Sequence, residues 1–164
     1  MKKHLYLMMG VPGSGKSTYA KNVLKYGDIY VSRDEIRYSL LTDKDAYFAK
    51  ENEVIRTFIE SIDKSLELEE YRGDVYADAT HLSPKGRAQV LNQLKNKDKV
   101  SVIYLDIPLN IILERNAQRE GRALVPENVV RRMYNSIILP TRAEGIEKLI
   151  IIDENQEVKE VREL

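Results

Sequence analysis

The sequence predicts an α/β fold of three layers, with helices on both faces of a parallel sheet of about five strands. Three observations predict it. Residues 10–18 read Gly10-Val-Pro12-Gly13-Ser14-Gly15-Lys16-Ser17-Thr18, a complete G-x-x-x-x-G-K-[ST] loop set between an apolar run and a helix-compatible segment. Runs rich in β-formers recur along the chain with helical patterns between them, which is how βαβ units read. A length of 164 residues allows one sizeable core and is too short for two, so residues 1–164 are expected to form a single domain.

Leu5–Met9 is the first strand, followed by the glycine-rich loop and the helix it opens. Further strands are expected at Asp28–Val31, Asp74–Ala77, Val100–Leu105 and Leu149–Ile152. Between the second and third, Tyr47, Val54, Ile55, Phe58, Ile59, Ile62 and Leu66 recur at helical spacings, and one long amphipathic helix over Asp45–Glu70 accommodates them. Ser83 as N-cap and Pro84 at the first position open the next helix, Pro84–Leu94. Asn110–Arg119 and Glu127–Leu139 are helical too, separated by the polar Glu120–Val125 stretch, which reads as a mobile loop. The charged tail Asp153–Leu164 is expected to be peripheral.

The strand–loop–helix context gives the glycine-rich loop a mechanism. Its glycines let backbone N–H groups converge on phosphates, and the helix N-terminus adds roughly half a positive charge. Lys16 is expected to reach the β- and γ-phosphates of ATP or another nucleoside triphosphate, and Ser17 to offer its hydroxyl to Mg²⁺. Charges balance, 26 basic against 26 acidic, which argues against holding a long nucleic-acid tract by a general basic field. A short polyanionic end held by a few arginines is compatible with that balance. The absence of cysteine excludes disulfides, thiolate metal sites and cysteine nucleophiles. The loop begins too early for a cleavable signal peptide, and no apolar run approaches a membrane span, so a soluble cytoplasmic enzyme is expected. Asn96-Lys97-Asp98 lacks the spacing of a guanine-reading N-K-x-D motif and precedes a strand.

The residues after the second strand, Ser32-Arg33-Asp34-Glu-Ile-Arg37, fall where a parallel sheet opens onto its ligand crevice. Asp34 there is placed to take a proton from an attacking hydroxyl, with Arg37 one helical turn on to clamp an acceptor anion. The bland alternative makes Asp34 a helix cap and Arg37 its solvated partner. After the third strand, Asp78 either orients Mg²⁺ through water or, like Thr80, satisfies the turn before Pro84. His81 is a polar loop residue or an acceptor contact. Arg115 and Arg119 share a helix face and Arg122 follows in the loop, a lid around residues 115–126. Lid arginines suit phosphoryl transfer, although arginines near a helix C-terminus also serve the dipole alone.

Taken in order, G-x-P-G-S-G-K-S-T from Gly10, S-R-D-x-x-R from Ser32, D-A-T-x-x-S-P-x-x-R from Asp78 and R-N-x-x-R from Arg115, with L-V-P at Leu124 and R-x-M-Y at Arg131, resemble the kinase domain of phage-type 5′-hydroxyl polynucleotide kinases. The resemblance runs from about Leu5 to Tyr134. It implies a P-loop kinase sheet with the second and third strands on one side of the first, and transfer of the γ-phosphate of ATP to the 5′-hydroxyl end of DNA or RNA. It implies Asp34 as general base, Arg37 on the 3′-phosphate of the terminal nucleotide, Lys16 and Ser17 with Mg²⁺ on the donor, and Arg119 on its phosphates. Many members read Asn where this chain has His81, and some carry the acidic residue where it has Ala79. No stretch is left for a phosphatase or ligase domain, so the expectation is a kinase alone. The alternative of similar build is a small-molecule kinase acting on a nucleoside, sugar, antibiotic or nucleotide-sugar.

Overall fold

The computed structural model describes residues 3–70 and 73–164. A six-stranded sheet runs through the molecule in the order β2-β3-β1-β4-β5-β6. The strands are β1 (His4–Met9), β2 (Ile29–Ser32), β3 (Val75–Asp78), β4 (Lys99–Leu105), β5 (Lys148–Ile152) and β6 (Val158–Glu163). The first five pair in parallel, and β3 lies beside β1 with Met8 opposite Asp78. The arrangement that the P-loop kinase resemblance implies therefore holds, with β2 and β3 on one side of β1, and Asp78 ends the strand beside β1.

Helices α3 (Glu51–Glu67) and α4 (Pro84–Leu91) cover one face, where Phe58, Ile62, Leu66, Val90 and Leu91 pack with Leu5, Leu7, Val75, Val102 and Leu149. The other face is covered by α1 (Lys16–Val23), α5 (Leu109–Ala117) and α6 (Glu127–Asn135), through Ala20, Ile112 and Val130 against Met8, Ile103, Leu105 and Ile152. Burial on both faces is what makes the central strands near-continuous apolar runs rather than alternating ones. Among the described residues, no helix is long and apolar enough to cross a membrane.

Two expectations need correction. The tail contains a sixth strand, β6, antiparallel to β5. Its VKEVRE sequence lacks an apolar alternation because both of its faces are exposed. The long helix also starts at Glu51 rather than Asp45, because the Asp45 carboxylate accepts from the Thr42 amide (2.8 Å) and hydroxyl (3.1 Å) and locks a turn there.

Candidate active site

The phosphate loop leaves β1 at Gly10 and enters α1 at Lys16. Gly13 and Gly15 have φ of +89° and +87°, conformations that L side chains rarely adopt, and a Cβ on Gly13 would lie 2.9 Å from the Ile112 carbonyl. Gly10 N–H is tied to the Thr80 carbonyl (3.1 Å), and α1 has no side chain capping its N-terminus. That terminus is thus free for an anion. Ser14 is buried, Ser17 and Thr18 are exposed, and Pro12, Lys16 and Ser17 line a cleft of about 610 Å³.

Asp78 borders the same cleft and accepts from the Ser17 hydroxyl at 2.6 Å. The Tyr30 hydroxyl donates to the same Asp78 oxygen, and burial followed by the Asp78 charge pushes the phenol above its usual range. Tyr30 is a neutral donor fixing this carboxylate. One hydroxyl and one anchored carboxylate beside a phosphate loop fit Mg²⁺, which keeps most of its waters and takes its remaining ligands from phosphates.

Across the cleft, α2 (Arg33–Leu40) begins at the end of β2. Its N-cap is Ser32, whose hydroxyl accepts from the Glu35 amide at 3.2 Å, so Asp34 is not needed as a cap. The Asp34 side chain is 60% exposed and accepts at Oδ1 from Arg37 and from the Tyr47 hydroxyl (2.7 Å). Its Oδ2 has no partner among the described residues.

Arg37 is only 3% exposed. One terminal nitrogen is bound to both Glu51 carboxylate oxygens at 2.8 Å, the other to Asp34 and the Tyr47 hydroxyl, and the guanidinium lies 4.2 Å from the Tyr47 ring centre. Arg33 also pairs with Glu51. Burial alone would raise the Glu51 carboxyl, but the bonds from Arg37 and Arg33 outweigh it and hold it below its usual range. Two arginines thus meet two carboxylates, and the wall is close to neutral. Tyr38, Tyr47 and Phe48 add an aromatic surface, with Phe48 68% exposed.

Residues of the 119–126 stretch border the cleft. Arg119 bonds the Ala123 carbonyl (3.3 Å), while Arg122 reaches the Thr42 and Asp45 carbonyls at 3.3 and 3.2 Å and lies over the Tyr38 ring. Both arginines line the cleft, as does Thr80.

Two expected site residues stand elsewhere. Arg115 supports the loop from behind, donating to the Ser14 carbonyl at 3.2 Å, and does not line the cleft. His81 is buried with Nδ1 2.6 Å from the Met8 carbonyl, which corrects its reading as an acceptor contact. Its φ of +47° explains the residue type, since His and Asn are among the few side chains that tolerate this region.

Glu51 escaped the sequence reading. It lies three residues before Val54 and seven before Phe58, on the buried stripe of α3, where a carboxylate is out of place unless paired. That was its signal.

Residues 5–140 match the AAA domain family model. The chain belongs to this family. Its fold is that of P-loop kinases: a sugar kinase from Janibacter has a TM-score of 0.64 at 21% identity, over 96% of this AAA-domain chain and 88% of that one. An L-seryl-tRNA(Sec) kinase of Methanococcus maripaludis is 32% identical over 143 residues, 83% of this chain and 53% of that protein. A protein of Autographa californica nuclear polyhedrosis virus, named as a bifunctional polynucleotide kinase/RNA ligase, is 26% identical over 148 residues, 83% of this chain and 21% of that protein. The chain spans about half the length of the first of these relatives and about a fifth of the second.

Proposed function

We propose that this chain transfers the γ-phosphoryl group of ATP to the 5′-hydroxyl end of a nucleic acid. The observation that carries the proposal is the placement of Asp34 and Arg37 opposite Lys16 and Ser17 in one lidded cleft. Lys16 and the amides of residues 13–18 hold the donor phosphates, and Arg119 and Arg122 meet their charge from the lid. Ser17 and, through water, Asp78 are the residues to hold Mg²⁺, which offsets phosphate charge when bound. Asp34 takes the proton of the acceptor hydroxyl as its oxygen bonds to the γ-phosphorus and the bond to the bridging β–γ oxygen breaks. ADP leaves, and the proton passes to solvent.

Arg37 contributes at the nucleotide's 3′ side. A phosphate there replaces Asp34 Oδ1 at the guanidinium and releases the carboxylate to the hydroxyl. The aromatic surface suits a terminal base. One relative is named as a polynucleotide kinase and the other as a kinase of a seryl-tRNA, which supports an acceptor that carries nucleic acid over a free sugar.

The second reading, a kinase of small neutral hydroxyl compounds, draws on the fact that Glu51 and Asp34 already balance Arg33 and Arg37. Labelled γ-phosphate transfer, offered in parallel to 5′-hydroxyl oligonucleotides, 3′-mononucleotides, nucleosides and sugars, separates the two. Oligonucleotides and 3′-mononucleotides are expected to be labelled and nucleosides poorly. Equal labelling of nucleosides or sugars transfers the assignment to the second reading.

A further inference from the structure

Strand β6 forms one edge of the sheet, and all 6 of its residues are exposed. Val158 and Val161 are more than half-exposed or close to it (58% and 50%), with Lys159, Glu160, Arg162 and Glu163 around them. Edges of this kind are templates for another strand unless something blunts them.

The β5–β6 register decides which main-chain groups are available. Leu164 N–H donates to the Glu147 carbonyl (2.9 Å), and Leu149 pairs with Arg162, Ile150 with Val161 and Lys148 with Glu163. Bonded and non-bonded pairs alternate in an antiparallel ladder. Arg162 and Leu164 therefore turn their amides and carbonyls to β5, while Val161 and Glu163 turn theirs outward. A second antiparallel strand must align outward residues with outward residues, which restricts the registers two copies of β6 can adopt.

Centred on Glu160 or on Arg162, the pairing would set like charges opposite each other. Centred on Val161, it sets Val161 against itself and Glu160 against Arg162, the latter twice by symmetry; Lys159 falls at the register shift opposite Ile151 and Ile152 and is not part of this match. The Glu160 and Arg162 side chains already pair within the strand (2.8 and 3.0 Å), so the partner's copies would complete a square of alternating charge. The other ion pairs here, Lys159 with Asp106 and Lys148 with Glu163, are exposed and weak enough to be shared.

From this self-complementarity we infer that β6 is a homodimerisation edge, joining two copies into one continuous sheet through antiparallel pairing about Val161. The cleft lies toward the β2 side of the sheet, so both sites stay open. A pair of strands this short makes a small interface, and the association is weak and concentration-dependent.

Sedimentation equilibrium over a concentration series tests it. The wild type is expected to approach twice the chain mass as concentration rises. Arg162→Glu and Glu160→Arg each replace both attractive pairs with repulsive ones and should weaken association at least about tenfold. The double variant, Glu160→Arg with Arg162→Glu, should restore it, and an equimolar mixture of the two single variants should associate where neither does alone. Val161→Pro, which removes only an outward N–H, should be monomeric with an unchanged far-ultraviolet spectrum. A wild type that stays monomeric at its highest soluble concentration overturns the inference, as does a dimer indifferent to these charge exchanges.

Discussion

Lowering the pH across the titration range of His81 tests the core beneath the candidate site, independently of any substrate. Burial pulls this imidazole from 6.5 down to about 4, against the opposing influence of the Met8 carbonyl. A neutral ring beside a carbonyl must donate from Nδ1, leaving the buried Nε2 as a lone pair with no partner among the described residues. Protonation would bury a charge there. Because the folded state resists a proton that the unfolded chain accepts, the stabilisation is complete above pH 6.5 and is lost as pH falls towards 4. The full loss amounts to about 3 kcal/mol, or roughly 6–12 °C in Tm for a chain of this size. His4 is also pulled down, chiefly by desolvation, and adds to the same window, so the comparison needs a variant at position 81. His81→Asn keeps a side chain that tolerates φ of +47°. Urea titrations through this pH range should show the wild type losing stability faster than His81→Asn, the gap changing by about 3 kcal/mol. Parallel profiles would refute the argument, whatever the absolute stability of the variant.

The remaining predictions concern the cleft. Lys16→Ala should abolish phosphoryl transfer while leaving Tm unchanged, because the side chain lines the cleft and bears no packing load; calorimetry alongside the transfer assay checks both. Asp34→Asn should retain ATP binding by titration calorimetry and lose roughly a hundredfold to ten-thousandfold in kcat. Glu51→Gln should raise the acceptor KM and lower Tm by roughly 4–8 °C. Removing one partner of a buried ion pair costs roughly 3–5 kcal/mol, and Glu51 (23% exposed) with an amide still able to accept should cost about 2 kcal/mol. The depressed Glu51 carboxyl stabilises the fold above about pH 4.5, and that contribution is lost below it, so wild type and Glu51→Gln should converge in stability in acid.

The donor half of the cleft was legible in the sequence because its chemistry is local. A phosphate loop is built from consecutive residues, and its glycines, lysine and hydroxyl sit where the motif puts them. Asp34 was legible for a related reason, since strand ends in a parallel sheet face the crevice, and the structure adds that Ser32 does the capping. What the sequence hid lies between elements distant along the chain. Glu51 binds Arg37 from a different helix, Tyr30 reaches Asp78 from the edge strand, and Arg115 turns back to the loop carbonyl. Periodicity reports which face of a helix is buried, not which charge waits there. His81 shows the converse: its polarity suggested a ligand contact, whereas backbone conformation chose the residue. The sixth strand was missed because an exposed edge has no apolar face to record.

The distribution of charge divides the cleft in two. Among the described residues, Lys16, Arg119 and Arg122 have no carboxylate partner, whereas Arg33 and Arg37 are matched by Glu51 and Asp34. Uncompensated cations in a cleft attract a polyanion at range, and a compensated wall does not. The Lys16 side of the cleft therefore favours a polyanion, and under the proposed function the Arg37 side takes one only by exchange with Asp34. Arg122, expected on the donor phosphates, is instead tied to the Thr42 and Asp45 carbonyls between α2 and α3 and lies over the Tyr38 ring. Under the proposed function, a triphosphate that drew Arg122 inward would break those bonds and free the turn between α2 and α3. Under the proposed function, Arg122 and Asp34 share one feature, each keeping its charge on a protein partner until a phosphate displaces it.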